Sequence, residues 1–313
     1  MQRQGKVIIL LGPTGVGKTG ASVLLAKKLQ TEIISADSMQ IYRGMDIGTA
    51  KPTKEELSEV RHHMIDIVEP TESYSAGQYI ETVSGIIEDL HRANKIPVVV
   101  GGTGLYIRAM TRGIFAGPSA DLGLRDELLS MEEHAPGSLY DYLVRIDPEA
   151  ACKIQKNDIR RLLRALEVCL RSRGKISLLQ NESTRALPYD FVKIGLRRGR
   201  QELYRLIEER VDKMLEAGFV AEVERLLAEI PGRTAMQAIG YREIADYLRG
   251  EIEKEEAIRL IKRNTRRYAK RQFTWFRKEE EINWIDLTGV LCSREIFQLI
   301  KPVLVNSLPG VFP

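Results

Sequence analysis

The sequence predicts an α/β protein in which helices flank a parallel sheet, together with an all-helical insertion domain. Two observations support this class. Short apolar runs alternate with helical patterns over residues 1–112, an order typical of βαβ units and a parallel sheet. The strand signal then disappears from about 117 to 187 and returns at 189–196. We therefore expect a core formed by residues 1–116 and 188–313, with residues 117–187 as the helical insertion.

Each predicted strand is a short apolar run, and these runs lie at residues 6–11, 31–36, 64–67, 96–100 and 189–196. Helical patterns follow the first and fourth strands, at 20–30 and from 105 onward. Further helical patterns lie at 200–217, 219–229, 240–249 and 254–278. The tail beyond about 288 shows no clear pattern.

A glycine-rich turn joins the first strand to the first helix and fits the pattern Gly-x-x-x-x-Gly-Lys-[Ser/Thr]. In that context the backbone N–H groups and the helix dipole form a cradle for anions. Lys18 adds a full positive charge, and the Thr19 hydroxyl can bind Mg²⁺. The core is therefore predicted to be P-loop NTPase-like. The residues expected to bind a diphosphate or nucleotide are Gly12, Pro13, Thr14, Gly15, Val16, Gly17, Lys18 and Thr19.

Composition narrows the class of protein. Hydrophobic residues make up 43% and charged residues 29%, as in ordinary globular proteins. No apolar run approaches the ~18–20 residues that span a bilayer, and a core strand follows the first residues directly, so we expect neither a membrane span nor a signal peptide. Three widely separated cysteines favour a reducing, cytoplasmic location. The net charge of +4 does not by itself predict a nucleic-acid partner.

Two strand ends carry candidate chemistry. Asp37 follows the second strand, where open α/β sheets bind their ligands, and can act as a base or hold a metal-bound water. Capping of a turn explains an Asp-Ser pair equally well. The fourth strand runs into Gly-Gly-Thr-Gly at 101–104, where an ATPase would place a metal-orienting carboxylate. The missing carboxylate weakens an ATP-hydrolysing interpretation. Asp66 is a competing carboxylate for metal binding.

The adjacent residues His62 and His63 suggest a metal site. Neighbouring strand residues point to opposite faces, however, so we expect surface or capping histidines.

The last long helix carries the strongest nucleic-acid signal. Residues 257–278 contain nine lysines and arginines and no acid, which favours a phosphate backbone as partner. The aromatic residues among them are predicted to stack on unpaired bases, although packing into the core is the alternative: Tyr268, Phe273, Trp275 and Phe276. A second basic stretch lies in the insertion, with Arg160, Arg161, Arg164, Arg171, Arg173 and Lys175.

Over about residues 5–285 the chain resembles the bacterial tRNA dimethylallyltransferases, also called isopentenyl-diphosphate:tRNA transferases. The most specific matches are Ser-Ala-Asp-Ser-Met-Gln-Ile-Tyr-Arg-Gly-Met-Asp-Ile-Gly-Thr-Ala-Lys-Pro at 35–52 and Arg-Arg-Tyr-Ala-Lys-Arg-Gln-Phe-Thr-Trp-Phe-Arg at 266–277. Other matching segments are 12–19, 101–106, 161–167 and 237–242.

The resemblance implies transfer of a dimethylallyl group from dimethylallyl diphosphate to N6 of the adenosine 3′ of a tRNA anticodon. The P-loop would then grip the donor diphosphate with Mg²⁺ on Thr19. Asp37 would be the general base, and Arg200 would join Lys18 and Thr19 around the leaving group. Partners would be the donor and tRNA, and we expect a monomer.

The resemblance also implies contacts with tRNA. Helix 160–164 would grip the anticodon stem-loop. The implied tRNA-binding residues are Asp37, Ser38, Met39, Gln40, Thr103, Arg125, Arg160, Arg161, Leu162, Leu163, Arg164, Gln237, Gly240, Tyr241, Arg242, Arg266, Arg267, Lys270 and Arg271.

Two other functions compatible with the sequence remain. One is a P-loop kinase, or a relative that prenylates free adenine nucleotides. The other is an RNA-binding P-loop protein without catalysis. Transfer of label from dimethylallyl diphosphate to tRNA, with ATP and AMP as controls, discriminates among them.

Overall fold

The computed structural model describes residues 5–115, 117–118, 120–172, 174–232 and 234–310. Arg173 therefore lies outside the described residues. The chain forms two compact units, one of Met1–Arg108 with Pro188–Pro313 and one of Ala109–Leu187. The boundary falls inside the helix Gly104–Arg112, a few residues before the predicted start of the insertion at 117.

The larger unit contains one six-stranded parallel sheet in the order β3-β2-β4-β1-β5-β6. Its strands are β1 Lys6–Leu11, β2 Ile33–Ala36, β3 His62–His63, β4 Val98–Gly101, β5 Asp190–Arg197 and β6 Ile282–Asp286. Because all strands run the same way, their carboxyl ends meet at one edge. That edge brings together the segments after β1, β2 and β4.

Helices account for most of the remaining chain. Those up to the insertion are α1 Lys18–Leu29, α2 Lys54–Glu59, α3 Ala76–Arg92 and α4 Gly104–Arg112. The insertion contains α5 Leu122–His134, α6 Ser138–Ile146, α7 Pro148–Cys152, α8 Ile159–Ser172 and α9 Ile176–Ser183. After it come α10 Arg200–Glu216, α11 Phe219–Ala228, α12 Tyr241–Leu248, α13 Lys254–Phe276 and α14 Ser293–Ser307. Within the described ranges, no helix has both the length and the apolar character needed to cross a bilayer.

The predicted α/β class with a helical insertion is confirmed, but the third strand was wrongly placed. It lies at His62–His63, pairs with β2, and does not extend over 64–67. Met64 and Asp66 have φ values of 64° and 54°, and this left-handed backbone cannot continue a strand. The two histidines bind locally: His62 Nδ1 lies 2.8 Å from the Val60 carbonyl, and His63 Nε2 lies 2.7 Å from Glu32.

Two elements near the C-terminus escaped prediction. β6 is short and flanked by charged residues, and α14 was hidden in the tail beyond 288. Ile296, Ile300 and Leu304 of α14 are buried against the core around β1 and β5. Their spacing of four residues is the signal that could have identified this helix.

Candidate active site

A cavity of about 340 Å³ opens at the carboxyl edge of the sheet. Residues 14–20 of the P-loop form one side, and Asp37 and Gly101 supply the strand ends next to it. Arg210 from α10 and Gln272 from α13 add further polar groups to the lining. The predicted P-loop and Asp37 therefore share one cavity.

The P-loop has the backbone conformation that an anion cradle requires. Gly15 and Gly17 have φ values of 79° and 105°, a region that other residues enter only with strain. α1 begins at Lys18 and has no side-chain cap on its first N–H groups. Those donors, together with the helix dipole, favour a bound anion.

Two partly buried cations and one carboxylate set the charge of the cavity. The Lys18 ammonium donates to the carbonyls of Gly12 and Pro13, at 3.0 and 2.9 Å. Burial lowers the pKa of Lys18 to about 8, nearby Asp37 opposes that shift, and Arg210 adds to it. Burial also lowers the pKa of Arg210, again against the attraction of Asp37. The excess of positive charge favours a polyanionic ligand.

Arg200 was the wrong arginine for this cavity. It is the first residue of α10, it is exposed, and its guanidinium lies 5.2 Å from the Tyr204 ring centre. Arg210 lies ten residues further along the same helix and lines the cavity instead. In the sequence, Arg210 is one of many charged residues on a charged helix. Only tertiary packing brings it into the cavity, so the sequence alone could not identify it.

Asp37 is held by a tight turn after β2. One carboxylate oxygen accepts the Met39 N–H at 2.9 Å, while the Ser38 N–H donates to the Thr103 hydroxyl at 3.0 Å. The Asp37 side chain therefore caps the turn and also lines the cavity. Gln40 also lines the cavity, and its amide donates to the carbonyls of Thr49 and Ala50 at 3.3 and 3.1 Å.

The glycines after β4 permit close approach of two other segments. A Cβ on Gly101 would lie 2.1 Å from the Ala36 carbonyl oxygen, and one on Gly102 would lie 2.3 Å from the Gln272 amide. Gln272 accepts the Thr14 N–H at 2.9 Å and donates to the Gly102 carbonyl at 2.8 Å. This amide connects α13 to the P-loop. In the sequence, Gln272 stands out only as an uncharged amide inside a basic run, which does not indicate its contact with the P-loop.

The basic residues of α13 form two groups. Near its N-terminal half, Arg259, Lys262 and Arg266 form ion pairs with Glu256, Asp212 and Glu208 respectively. Further along, exposed cations recur on one face at 267, 270, 271 and 277. Exposed surface with one sign of charge fits a polyanion, so Arg267, Lys270 and Arg271 remain candidates. The ion pair makes Arg266 a weaker one.

The expectation that the aromatic residues of α13 stack on bases is wrong for Phe273, Trp275 and Phe276. Tyr268 is partly exposed, and its stacking on a base stays a prediction. Phe276 is fully buried, and Phe273 packs edge-on against Trp284 at 5.5 Å. Trp275 packs over Gly104, where an added Cβ would lie 2.3 Å from the indole. These rings hold α13 on the sheet, which leaves its cations outward.

The predicted tRNA-binding residues at 237–242 include both exposed and buried side chains. Gln237 and Arg242 are exposed. Gly240 has a φ of 98°. Tyr241 is fully buried and donates its hydroxyl to Glu222 at 2.6 Å, so its side chain cannot contact RNA.

In the helical unit, Arg160 and Arg161 are exposed on α8, whereas Leu162 is fully buried in the core of the unit and Leu163 packs against it. Arg125 and Arg164 surround the buried carboxylate of Glu167, at 2.9 and 2.7 Å. Burial opposes ionisation, but hydrogen bonds led by Arg125 prevail and lower the pKa of Glu167. Arg125 and Arg164 therefore stabilise this unit. Arg160 and Arg161 are more exposed and are the better candidates for RNA, although Arg161 also forms an ion pair with Asp158 at 3.3 Å.

Metal binding by protein side chains alone finds little support. Among the described residues, no group of three His, Cys, Asp or Glu side chains could hold a metal ion. Asp66 forms an ion pair with Lys51 and does not line the cavity. Thr19 does line it, in the first turn of α1.

A P-loop cavity with a carboxylate just after β2 and an outward cationic helix is typical of a phosphate-binding α/β protein with a polyanionic partner. The family model for IPP transferase matches residues 40–279, and the chain belongs to that family.

Its relatives agree in length and fold. The tRNA dimethylallyltransferase of Thermodesulfovibrio yellowstonii is 54% identical over 313 residues and covers 98% of each chain. That of Symbiobacterium thermophilum is 48% identical over 94% of this chain and 95% of the relative. The tRNA isopentenylpyrophosphate transferase from Bacillus halodurans superposes with a TM-score of 0.71 at 42% identity, covering 97% of this chain and 98% of that one. A eukaryotic dimethylallyltransferase acting on tRNA gives 0.79 at 31% identity, covering 98% and 81%.

Proposed function

We propose that this enzyme transfers a dimethylallyl group from dimethylallyl diphosphate to N6 of the adenosine 3′ of a tRNA anticodon. The observation that carries the proposal is the shared cavity of the P-loop, Arg210 and Asp37. One wall suits a leaving diphosphate and the other offers a proton acceptor. Family membership supports the same reaction.

Departure of the diphosphate requires positive charge where negative charge develops. The cradle amides and Lys18 supply it from the P-loop, and Arg210 supplies it from α10. The bond between C1 of the dimethylallyl group and the diphosphate oxygen breaks, and a bond from N6 to C1 forms. The Arg210 guanidinium is suited to stabilising the leaving diphosphate, because its N–H donors can bind two phosphate oxygens at once.

Mg²⁺ fits the residues that are present. This ion usually keeps several waters and binds through substrate phosphates with few protein ligands. Thr19, which lines the cavity, would be its protein ligand. When bound, the ion stabilises the negative charge of the leaving diphosphate.

Asp37 is proposed as the general base. The exocyclic amine of adenine is a weak nucleophile and must lose a proton as it attacks C1. The Asp37 carboxylate accepts that proton, with one oxygen fixed by the Met39 N–H. A positioned base of this kind contributes about 10²–10⁴-fold to the rate. The Thr103 hydroxyl positions the turn by accepting the Ser38 N–H.

The acceptor adenosine must leave its stack to reach the cavity, at a cost of a few kcal/mol. We propose that the exposed cations of α13 bind the tRNA backbone, with Arg242 and Gln237 contributing contacts from the same unit. Arg160 and Arg161 on α8 would bind the anticodon stem-loop.

A transfer assay tests the proposal. Labelled dimethylallyl diphosphate, Mg²⁺ and unmodified tRNA are expected to give labelled tRNA. ATP labelled in its terminal phosphate and free AMP serve as controls. Phosphate transfer from ATP would support a kinase, label on AMP a free-nucleotide prenyltransferase, and tRNA binding without transfer a non-catalytic protein.

The Lys18 pKa predicts a pH dependence of anion binding. Because that pKa is about 8, Lys18 is charged below pH 8 and loses its charge as the pH rises above it. A bound anion favours the charged form, so the affinity of the free enzyme for pyrophosphate should fall above pH 8, by up to about tenfold per pH unit. Titration calorimetry of wild type and Lys18→Met separates this effect from the titration of pyrophosphate itself. A ratio of the two dissociation constants that stays constant across pH 8 would contradict it.

The two groups of cations on α13 predict different salt dependences of tRNA binding. Arg267→Ala with Lys270→Ala should lower the slope of log Kd against log salt concentration by about 1.5, because each lost phosphate contact removes about 0.7–0.9. Arg259→Ala with Lys262→Ala removes the same charge from ion-paired positions and should change it little. Equal slopes for both double variants would place the tRNA elsewhere.

A further inference from the structure

A buried arginine outside the proposed catalytic set joins the P-loop to the C-terminal segment. The side chain of Arg198, just after β5, is 2% exposed. Its Nε donates to the Val16 carbonyl at 3.0 Å. Its two terminal nitrogens donate to the carbonyls of Leu287 and Val290, both at 2.5 Å, and to Glu202 at 2.6 Å. One guanidinium thus binds three carbonyls in two separate segments.

The segment that Arg198 holds forms a wall of the cavity. Ile296 lies where a Cβ on Gly17 would approach it to 3.3 Å, and the Ser293 hydroxyl lies where one on Gly20 would approach it to 2.2 Å. Leu291, Ser293 and Ile296 all line the cavity. Residues 287–296 therefore cover the P-loop and the first turn of α1.

Glu202 fixes the same segment from the other side. One carboxylate oxygen accepts from Arg198, and the other accepts the Gly289 N–H at 2.9 Å. The Gly199 N–H donates to the Thr288 hydroxyl at 2.8 Å. The carboxylate neutralises the buried guanidinium, which would otherwise be costly to desolvate.

Peptide geometry connects this arrangement to the cradle. In a trans peptide the carbonyl of one residue and the N–H of the next point in opposite directions. Arg198 binds the Val16 carbonyl, so the N–H of Gly17 is directed the other way. Gly17 lines the cavity. Arg198 thereby fixes the orientation of one cradle donor.

We propose that Arg198 is a positioning residue for the diphosphate site: it orients the peptide between Val16 and Gly17 and holds residues 287–296 in place as the outer wall of the site. This inference rests on the proposed function, since it assigns that wall to the donor diphosphate. Lysine cannot replace the arginine, because a single ammonium lacks the planar set of five donors that reaches three carbonyls and a carboxylate.

The test compares Arg198→Lys with Arg197→Lys, and the probe is inorganic pyrophosphate. Arg197 is the adjacent arginine and forms an exposed ion pair with Asp286, so its variant controls for charge, position and handling. We expect Arg198→Lys to weaken pyrophosphate binding about tenfold, which corresponds to roughly the free energy of one charged hydrogen bond. tRNA affinity should stay at the wild-type value, and amide exchange should accelerate in residues 14–18 and 287–293. Arg197→Lys should change none of these.

Two results with Arg198→Lys would overturn the inference. Unchanged pyrophosphate affinity in Arg198→Lys overturns the inference, and so does an equal loss of pyrophosphate and tRNA binding, which would indicate general destabilisation. If Arg198→Lys does not fold, Glu202→Gln is measured in the same way, and unchanged affinity there overturns it. A wild-type protein that binds no pyrophosphate contradicts the proposed function itself.

Discussion

Asp37→Asn is expected to lower the single-turnover rate of transfer by about 10²–10⁴-fold, the usual contribution of a general base. The change is nearly isosteric, and the asparagine oxygen can still accept the Met39 N–H that holds the turn. The cradle is untouched, so affinities for pyrophosphate and tRNA should stay close to wild type. Rapid-quench transfer and equilibrium binding measure the two effects separately.

Asp66→Asn is the matched control because Asp66 is the competing carboxylate from the sequence. It pairs with Lys51 outside the cavity. We expect a near wild-type transfer rate, with thermal unfolding measured alongside to detect any loss of stability from that ion pair. If Asp37→Asn transferred at the wild-type rate, Asp37 would have no part in proton transfer.

Arg210→Gln is expected to reduce the transfer rate by at least about 10²-fold, since it removes a preorganised cation from the leaving group. The guanidinium is partly buried in the cavity that Lys18 and Asp37 also line, and this partial desolvation strengthens its interaction with an anion. Pyrophosphate affinity should fall as well, because the same charge attracts the ground-state anion. Steady-state kinetics with varied dimethylallyl diphosphate measure both.

Arg200→Gln provides the contrast on the same helix. Arg200 is exposed over Tyr204, so its loss should alter the rate less than about twofold. A large loss in Arg200→Gln together with near wild-type activity in Arg210→Gln would reverse the assignment that the structure supports.

The sheet and the cavity were predictable where local pattern and topology suffice. A glycine-rich turn between a buried strand and a helix defines the cradle. Parallel pairing then brings Asp37, after β2, to the same edge as the turn after β1. Strand polarity places both segments at the carboxyl edge, where ligands bind in such sheets.

Residues delivered by remote helices were not predictable in this way. Arg210 and Arg200 belong to one charged helix, and only the packing of α10 against the core decides which guanidinium lines the cavity. Gln272 and the aromatics of α13 show the same limit. The basic residues around them suggest a solvent-exposed surface. Packing nevertheless directs the Gln272 amide toward the P-loop and the aromatic rings toward the core. The wall at 287–296 depends on pairing between β5 and β6, which are about 90 residues apart.

The most direct measurement maps the position of the label after a single turnover. Wild-type enzyme receives labelled dimethylallyl diphosphate, Mg²⁺ and unmodified tRNA, and the tRNA is then digested to nucleosides. We predict that the label is on N6 of the adenosine that follows the anticodon, with one pyrophosphate released for each group transferred. Label on another nucleoside, or release of dimethylallyl alcohol with no modified tRNA, would contradict this function for the cavity.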